Sequence, residues 1–136
     1  MPFRRPLLVL VSAVIGVALA GAQSPKIEIT EIPPAGQGGP TKTVEISGTA
    51  SGPEIRDLRV VCYAYAGNQW WVQPTAANPL SPIDTSNGKW TIDTHLGRNY
   101  AALLVRKSYK APATTDSLPE VGGDVLAIDQ VAGKPR

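Results

Sequence analysis

Residues 58–73 read Leu-Arg-Val-Val-Cys-Tyr-Ala-Tyr-Ala-Gly-Asn-Gln-Trp-Trp-Val-Gln. A run rich in Val and Tyr, then Gly67-Asn68, then a second run rich in Trp and Val, is the pattern of a β-hairpin. Gly67-Asn68 is a candidate two-residue hairpin turn, which predicts the pairs Tyr65 with Trp70, Ala64 with Trp71, and Tyr63 with Val72. Directly opposed residues project from one face of a sheet. Tyr63, Tyr65, Trp70 and Val72 therefore share one face, and Val60, Cys62, Ala64 and Trp71 share the other. The smaller, more aliphatic set is read as the core face. That assignment buries Trp71 and turns Trp70, Tyr63 and Tyr65 outward beside Arg59.

Outward from this hairpin, the same period recurs. Residues 26–31 alternate through Ile27 and Ile29, and residues 43–48 alternate through Val44 and Ile46. Between them, residues 33–40 carry Pro33, Pro34, Pro40, Gly36, Gly38 and Gly39, which is loop chemistry. Asn87-Gly88 is the stronger turn signal, because both residues tolerate the positive φ of a type I′ turn, and it predicts the pairs Thr85 with Trp90 and Ile83 with Ile92, placing Ile83, Trp90 and Ile92 on one apolar face. Residues 100–107 and 124–129 supply two further strands, joined by a loop with Pro112, Pro119, Gly122 and Gly123. Helical periodicity is nearly absent. About seven short strands joined by turns imply a single antiparallel β-sandwich over residues 23–131, with a flexible tail at 132–136.

The N-terminus has a different character. Arg4-Arg5 precede an apolar run at residues 7–20, and small residues end at Ala22. That order is expected of a cleaved secretory signal peptide over residues 1–22, cut after Ala20 or Ala22. The run is shorter than the roughly 20 apolar residues that span a bilayer, so no stable membrane span is expected. No cysteine stands near Ala22 to carry a lipid, which argues against a lipid anchor. The protein is thus expected outside the cytoplasm, in the periplasm, at the cell surface or in the medium.

Charge and cysteine content narrow the partners. The formal net charge is +2, from 13 Lys and Arg against 11 Asp and Glu, and the leader's Arg4 and Arg5 account for that excess. The remaining domain is near neutral, which gives no support for nucleic acid as a partner. Cys62 is the one cysteine, so no internal disulfide is expected and burial must hold the fold.

Candidate chemistry is sparse. Cys62, His95 and Asp93 include the residue types of a nucleophile, base and orienting acid, but Cys62 sits mid-strand on the apolar face, where free cysteine acts as a small hydrophobe. His95 precedes Gly97 and reads as a turn histidine bonded to backbone. One histidine and one cysteine do not close a zinc site, and no calcium loop is present. No catalytic residue, metal or cofactor is assigned. The outward set Tyr63, Tyr65, Trp70 and Arg59 offers flat apolar rings and a polar arm, suited to a sugar ring or a protein partner, unless another part of the chain, such as the loop at residues 75–82, folds back and covers the rings as core.

Two further stretches carry a resemblance. Ile46-Ser47-Gly48-Thr49-Ala50-Ser51-Gly52 and the later Asn87-Gly88-Lys89-Trp90 resemble the immunoglobulin-like β-sandwich modules of bacterial secreted and cell-surface proteins. The likeness runs over about residues 27–131 and lacks the paired cysteines of antibody-type domains. It implies an immunoglobulin-like sandwich acting as a spacer, stalk or binding module. Trp70-Trp71-Val72-Gln73-Pro74, with His95-Leu96-Gly97 and residues 100–105, also resembles a module recurring in bacterial exported proteins. The leading expectation is a non-catalytic exported binding module whose ligand is carbohydrate or an envelope protein. A structural envelope component that docks a fixed partner is the alternative, followed by a small hydrolase.

Overall fold

The computed structural model describes residues 24–39 and 42–135. The expected signal peptide at residues 1–22 lies outside the described residues. Over these residues the fold is all-β, with two antiparallel sheets. One has three strands, in the order β1 (Lys26–Glu31), β2 (Thr43–Ser51), β5 (Lys89–His95). The other has five, in the order β7 (Thr114–Thr115), β4 (Gln69–Gln73), β3 (Leu58–Ala66), β6 (Asn99–Arg106), β8 (Val125–Ala132). Among the described residues, eight strands thus replace the expected seven or so.

The central hairpin has the register read from the sequence. Tyr65 pairs with Trp70, Ala64 with Trp71 and Tyr63 with Val72. Gly67 and Asn68 have φ of 60° and 66°, as a type I′ turn requires, and its twist matches the flanking strands.

The second hairpin differs from its expected form. Asp84 pairs with Lys89, and residues 85–88 make the turn, in which the N–H groups of Asn87 and Gly88 both donate to the Asp84 carbonyl. Side chains dictate this. Asp84 Oδ1 accepts from Ser86 N at 2.9 Å and Ser86 Oγ at 2.7 Å, and Asn87 Oδ1 accepts from Lys89 N at 2.9 Å. These local bonds stabilise a longer turn against the two-residue one. They also hold the exposed Asp84 carboxyl below its ordinary range, chiefly through the Ser86 hydroxyl. Pairing shifts by two residues relative to the expected register, which keeps every side chain on its face. Ile83, Trp90 and Ile92 still reach one core, although Ile83 belongs to no strand.

That core lies between the sheets. Ile27, Ile29, Ile46, Trp90 and Ile92 from the three-stranded sheet meet Leu58, Val60, Cys62, Tyr100 and Leu104 from the five-stranded one. Cys62 is 1 % exposed and its thiol is pushed up by burial, away from the thiolate. A thiol reagent is expected to label Cys62 only after denaturation. Fast labelling of the native protein would contradict this packing.

The five-stranded sheet is buried on its other face too. Val61, Tyr63, Trp70, Val72, Leu103 and Val105 form a second core, against which Leu80, Tyr109, Ala111 and Leu118 pack. The cover comes mainly from the segment between β6 and β8. It is tied down where Tyr63 Oη donates to Pro112 O at 2.8 Å, Val72 N donates to Ala113 O at 3.0 Å, and β7 pairs with Trp70 and Trp71. With apolar layers on both faces, β3 and β6 need no alternation, and the run Leu-Arg-Val-Val-Cys-Tyr-Ala-Tyr-Ala follows from that.

The tail expected to fray at 132–136 is instead held as far as Lys134. β8 runs to Ala132, Gly133 N donates to Arg98 O, and Lys134 N donates to Pro33 O.

Candidate binding groove

The two sheets meet along two seams, and these differ. On one, β1 packs over β8 and β6, and the Asp129 carboxylate accepts the Ile29 N–H at 2.8 Å, bonding the sheets together. On the other, β5 faces β3 and β4. Its lower part is crossed by the chain itself, since Ser81 exchanges backbone hydrogen bonds with Val60 while Asp84 N donates to Lys89 O. Its upper part is a groove of about 510 Å³. Trp71, Pro74 and Leu96 give it apolar walls, Ala64 also lines it, and Gln37 and His95 bring polar groups. No Asp, Glu, Lys or Arg is among its described lining residues.

Strand order explains why Trp71 stands here. It projects toward the three-stranded sheet, as Ala64 does, but β4 lies at the margin where that sheet ends. Trp71 is therefore 45 % exposed, while its neighbour Trp70 on the opposite face is 7 % exposed. This reverses the burial expected from the sequence for both rings. The faces are as read, but the overlying layers are not. Trp71 Nε1 donates to Ala66 O at 2.8 Å, which fixes the indole and leaves its ring as an apolar surface.

The far wall is held by Gln73, a polar side chain only 3 % exposed. Its Nε2 donates to Trp71 O at 3.1 Å. Its Oε1 accepts the His95 backbone N–H at 2.9 Å and lies 3.0 Å from His95 Nδ1. His95, expected in a turn against backbone, is the last residue of β5 and is held by a side chain. Pro74, which follows through a cis peptide bond, ends β4 at the groove.

The sequence-predicted ligand set lands elsewhere. Tyr63, Tyr65 and Trp70 do come together, with the Tyr65 and Trp70 rings 5.0 Å apart at 61°. Tyr63 is fully buried, and burial, with Tyr109 adding to it, pushes its phenol above the ordinary value. Tyr65 is half-buried, with Arg98 5.4 Å from its ring centroid. Arg59 does not join them. It sits at the start of β3, where its Nη1 donates to Leu58 O at 2.7 Å and Arg56 O at 3.4 Å. Tyr63 and Trp70 are thus covered, in place of the outward position read from the sequence, and Tyr65 with the edge of Trp70 borders only an open hollow beside Asp116 and Leu118. Nor does Cys62 present a nucleophile, being sealed in the core, and among the described residues no three His, Cys, Asp or Glu cluster as metal ligands.

The groove residues Trp71, Gln73 and His95 lie outside the ligand set that the sequence suggests. For Trp71 the sequence does hold a signal, since its pairing with Ala64 puts a large ring on the small-residue face. Compared with known proteins, the chain matches no family model and no curated sequence.

Proposed function

We propose that this chain is an exported, non-catalytic binding module of the immunoglobulin-like sandwich type, and that it takes a neutral carbohydrate in the groove at Trp71. One observation carries this reading: an indole on the inner side of a sheet is 45 % exposed and fixed in place by its bond to Ala66 O. A fixed aromatic face is what the apolar side of a sugar ring stacks on, and its rigidity lowers the ordering cost of binding. The polar groups beside it, Gln37 and His95, suit hydroxyls. The lack of a charged side chain in the described lining favours an uncharged ligand. The immunoglobulin-like reading draws on two antiparallel sheets sharing one core and on the motifs at residues 46–52 and 87–90.

Affinity electrophoresis through gels containing soluble neutral polysaccharides tests the ligand class. The protein is expected to be retarded by at least one of them, and Trp71→Ala to migrate freely in the same gel. Equal retardation of the two proteins would remove Trp71 from the site. Retardation by none would end the carbohydrate reading and leave an envelope protein as the partner to test.

Export rests on the leader at residues 1–22. Protein recovered outside the cytoplasm is expected to begin at Gly21 or Gln23 by intact mass. The full 136-residue chain in a membrane fraction would show the leader to be an anchor.

A further inference from the structure

Gln73 Oε1 has one partner whose role is fixed: the His95 backbone N–H can only donate to it. The amide orientation follows, with oxygen toward His95 and Nε2 toward Trp71 O. The same oxygen lies 3.0 Å from His95 Nδ1, and two acceptors at that distance would repel. Nδ1 must therefore carry the hydrogen. In the neutral ring Nε2 is then a bare acceptor, on a side chain that lines the groove.

We propose that Gln73 is a positioning residue that locks His95 in the Nδ1–H tautomer, and that His95 Nε2 selects ligands presenting a hydroxyl donor beside the face that stacks on Trp71. This rests on the groove being the binding site. It goes further by saying which sugar edge is read. A ligand with only acceptors at that position meets a lone pair and loses hydrogen bonds it had to water. Burial makes the lock firm. Gln73 is 3 % exposed, so water does not compete for its oxygen, and both its functional groups are engaged.

His95 is the only histidine in the chain, so the imidazole spectrum of untagged, ¹⁵N-labelled protein reports on this ring alone. At about pH 8, where an ordinary imidazole is neutral, two-bond ¹H–¹⁵N correlations are expected to show Nδ1 protonated and Nε2 unprotonated. Gln73→Met, which removes the acceptor, is expected to move the population toward Nε2–H. A wild-type ring already protonated on Nε2 overturns the proposal.

In the polysaccharide gels, His95→Phe keeps a flat ring and removes the acceptor. It is expected to weaken retardation about three- to tenfold, the scale of one hydrogen bond, and Gln73→Met to weaken it less. Loss of retardation in Trp71→Ala with none in His95→Phe overturns this proposal and leaves the groove reading intact. Unchanged retardation in Trp71→Ala, or retardation by no polysaccharide, overturns both as statements about sugar recognition.

Discussion

Replacing Trp70 with alanine is expected to destabilise the protein by about 3–5 kcal/mol, the range for truncating a large buried aromatic. Trp71→Ala, one residue on, is expected to cost about 1 kcal/mol or less, because much of that ring already faces solvent. Trp70 is 7 % exposed, packs in the second core and meets the Tyr65 ring edge-on at 5.0 Å. Its removal leaves a hole beneath the segment that covers β3 and β4, bounded by side chains that are themselves packed and relax only in part. The Trp71 change loses the bond to Ala66 O, and water can replace it at that exposed site. Urea unfolding of the two variants checks the contrast through the shift in midpoint at constant slope. Equal losses would mean that the groove is closed over Trp71. A larger loss for Trp71 would restore the burial read from the sequence.

Gly48→Ala is expected to cost about 3 kcal/mol or more, a large effect for one methyl group and at the upper end of overpacking. Gly48 pairs with Ile29 on one side and Trp90 on the other. A Cβ there would collide with the Glu28 carbonyl oxygen and would stand 2.7 Å from Trp90 Cζ2. Neither neighbour yields easily. The first is backbone in the β1–β2 ladder, and the second is an indole 2 % exposed whose Nε1 is buried with no hydrogen-bond partner among the described residues. The glycine of Ser47-Gly48-Thr49-Ala50 is thus explained by close approach of backbone and ring, with no need of an unusual φ. At roughly 4–8 °C per kcal/mol for a domain of about this size, the melting temperature should fall by more than 10 °C. A variant that melts with the parent would show that Trp90 can leave its place above Gly48.

What the sequence determined by itself is what depends on neighbours along the chain or across one turn. The pairing of Tyr65 with Trp70 and Tyr63 with Val72 follows from Gly67-Asn68, because both residues reach the left-handed region at little cost and the turn then fixes the register. The sharing of a core by Ile83, Trp90 and Ile92 survived a turn of different length, because a two-residue shift preserves faces. The burial of Cys62 was likewise legible in the apolar set around it. Which faces are covered was a different matter. Alternation says that two sides exist, and it does not say how many layers lie above each. Tyr63 and Trp70 are sealed by Tyr109, Ala111 and Leu118 from a segment some 40 residues away, while Trp71 is bared because the three-stranded sheet ends beside β4. The bond between Gln73 and His95 joins the ends of strands in different sheets, and no spacing in the chain encodes it. Local backbone preferences act over a few residues and leave their mark in composition. Coverage and the groove depend on where sheet edges fall once both layers are packed, so only the tertiary structure decided them.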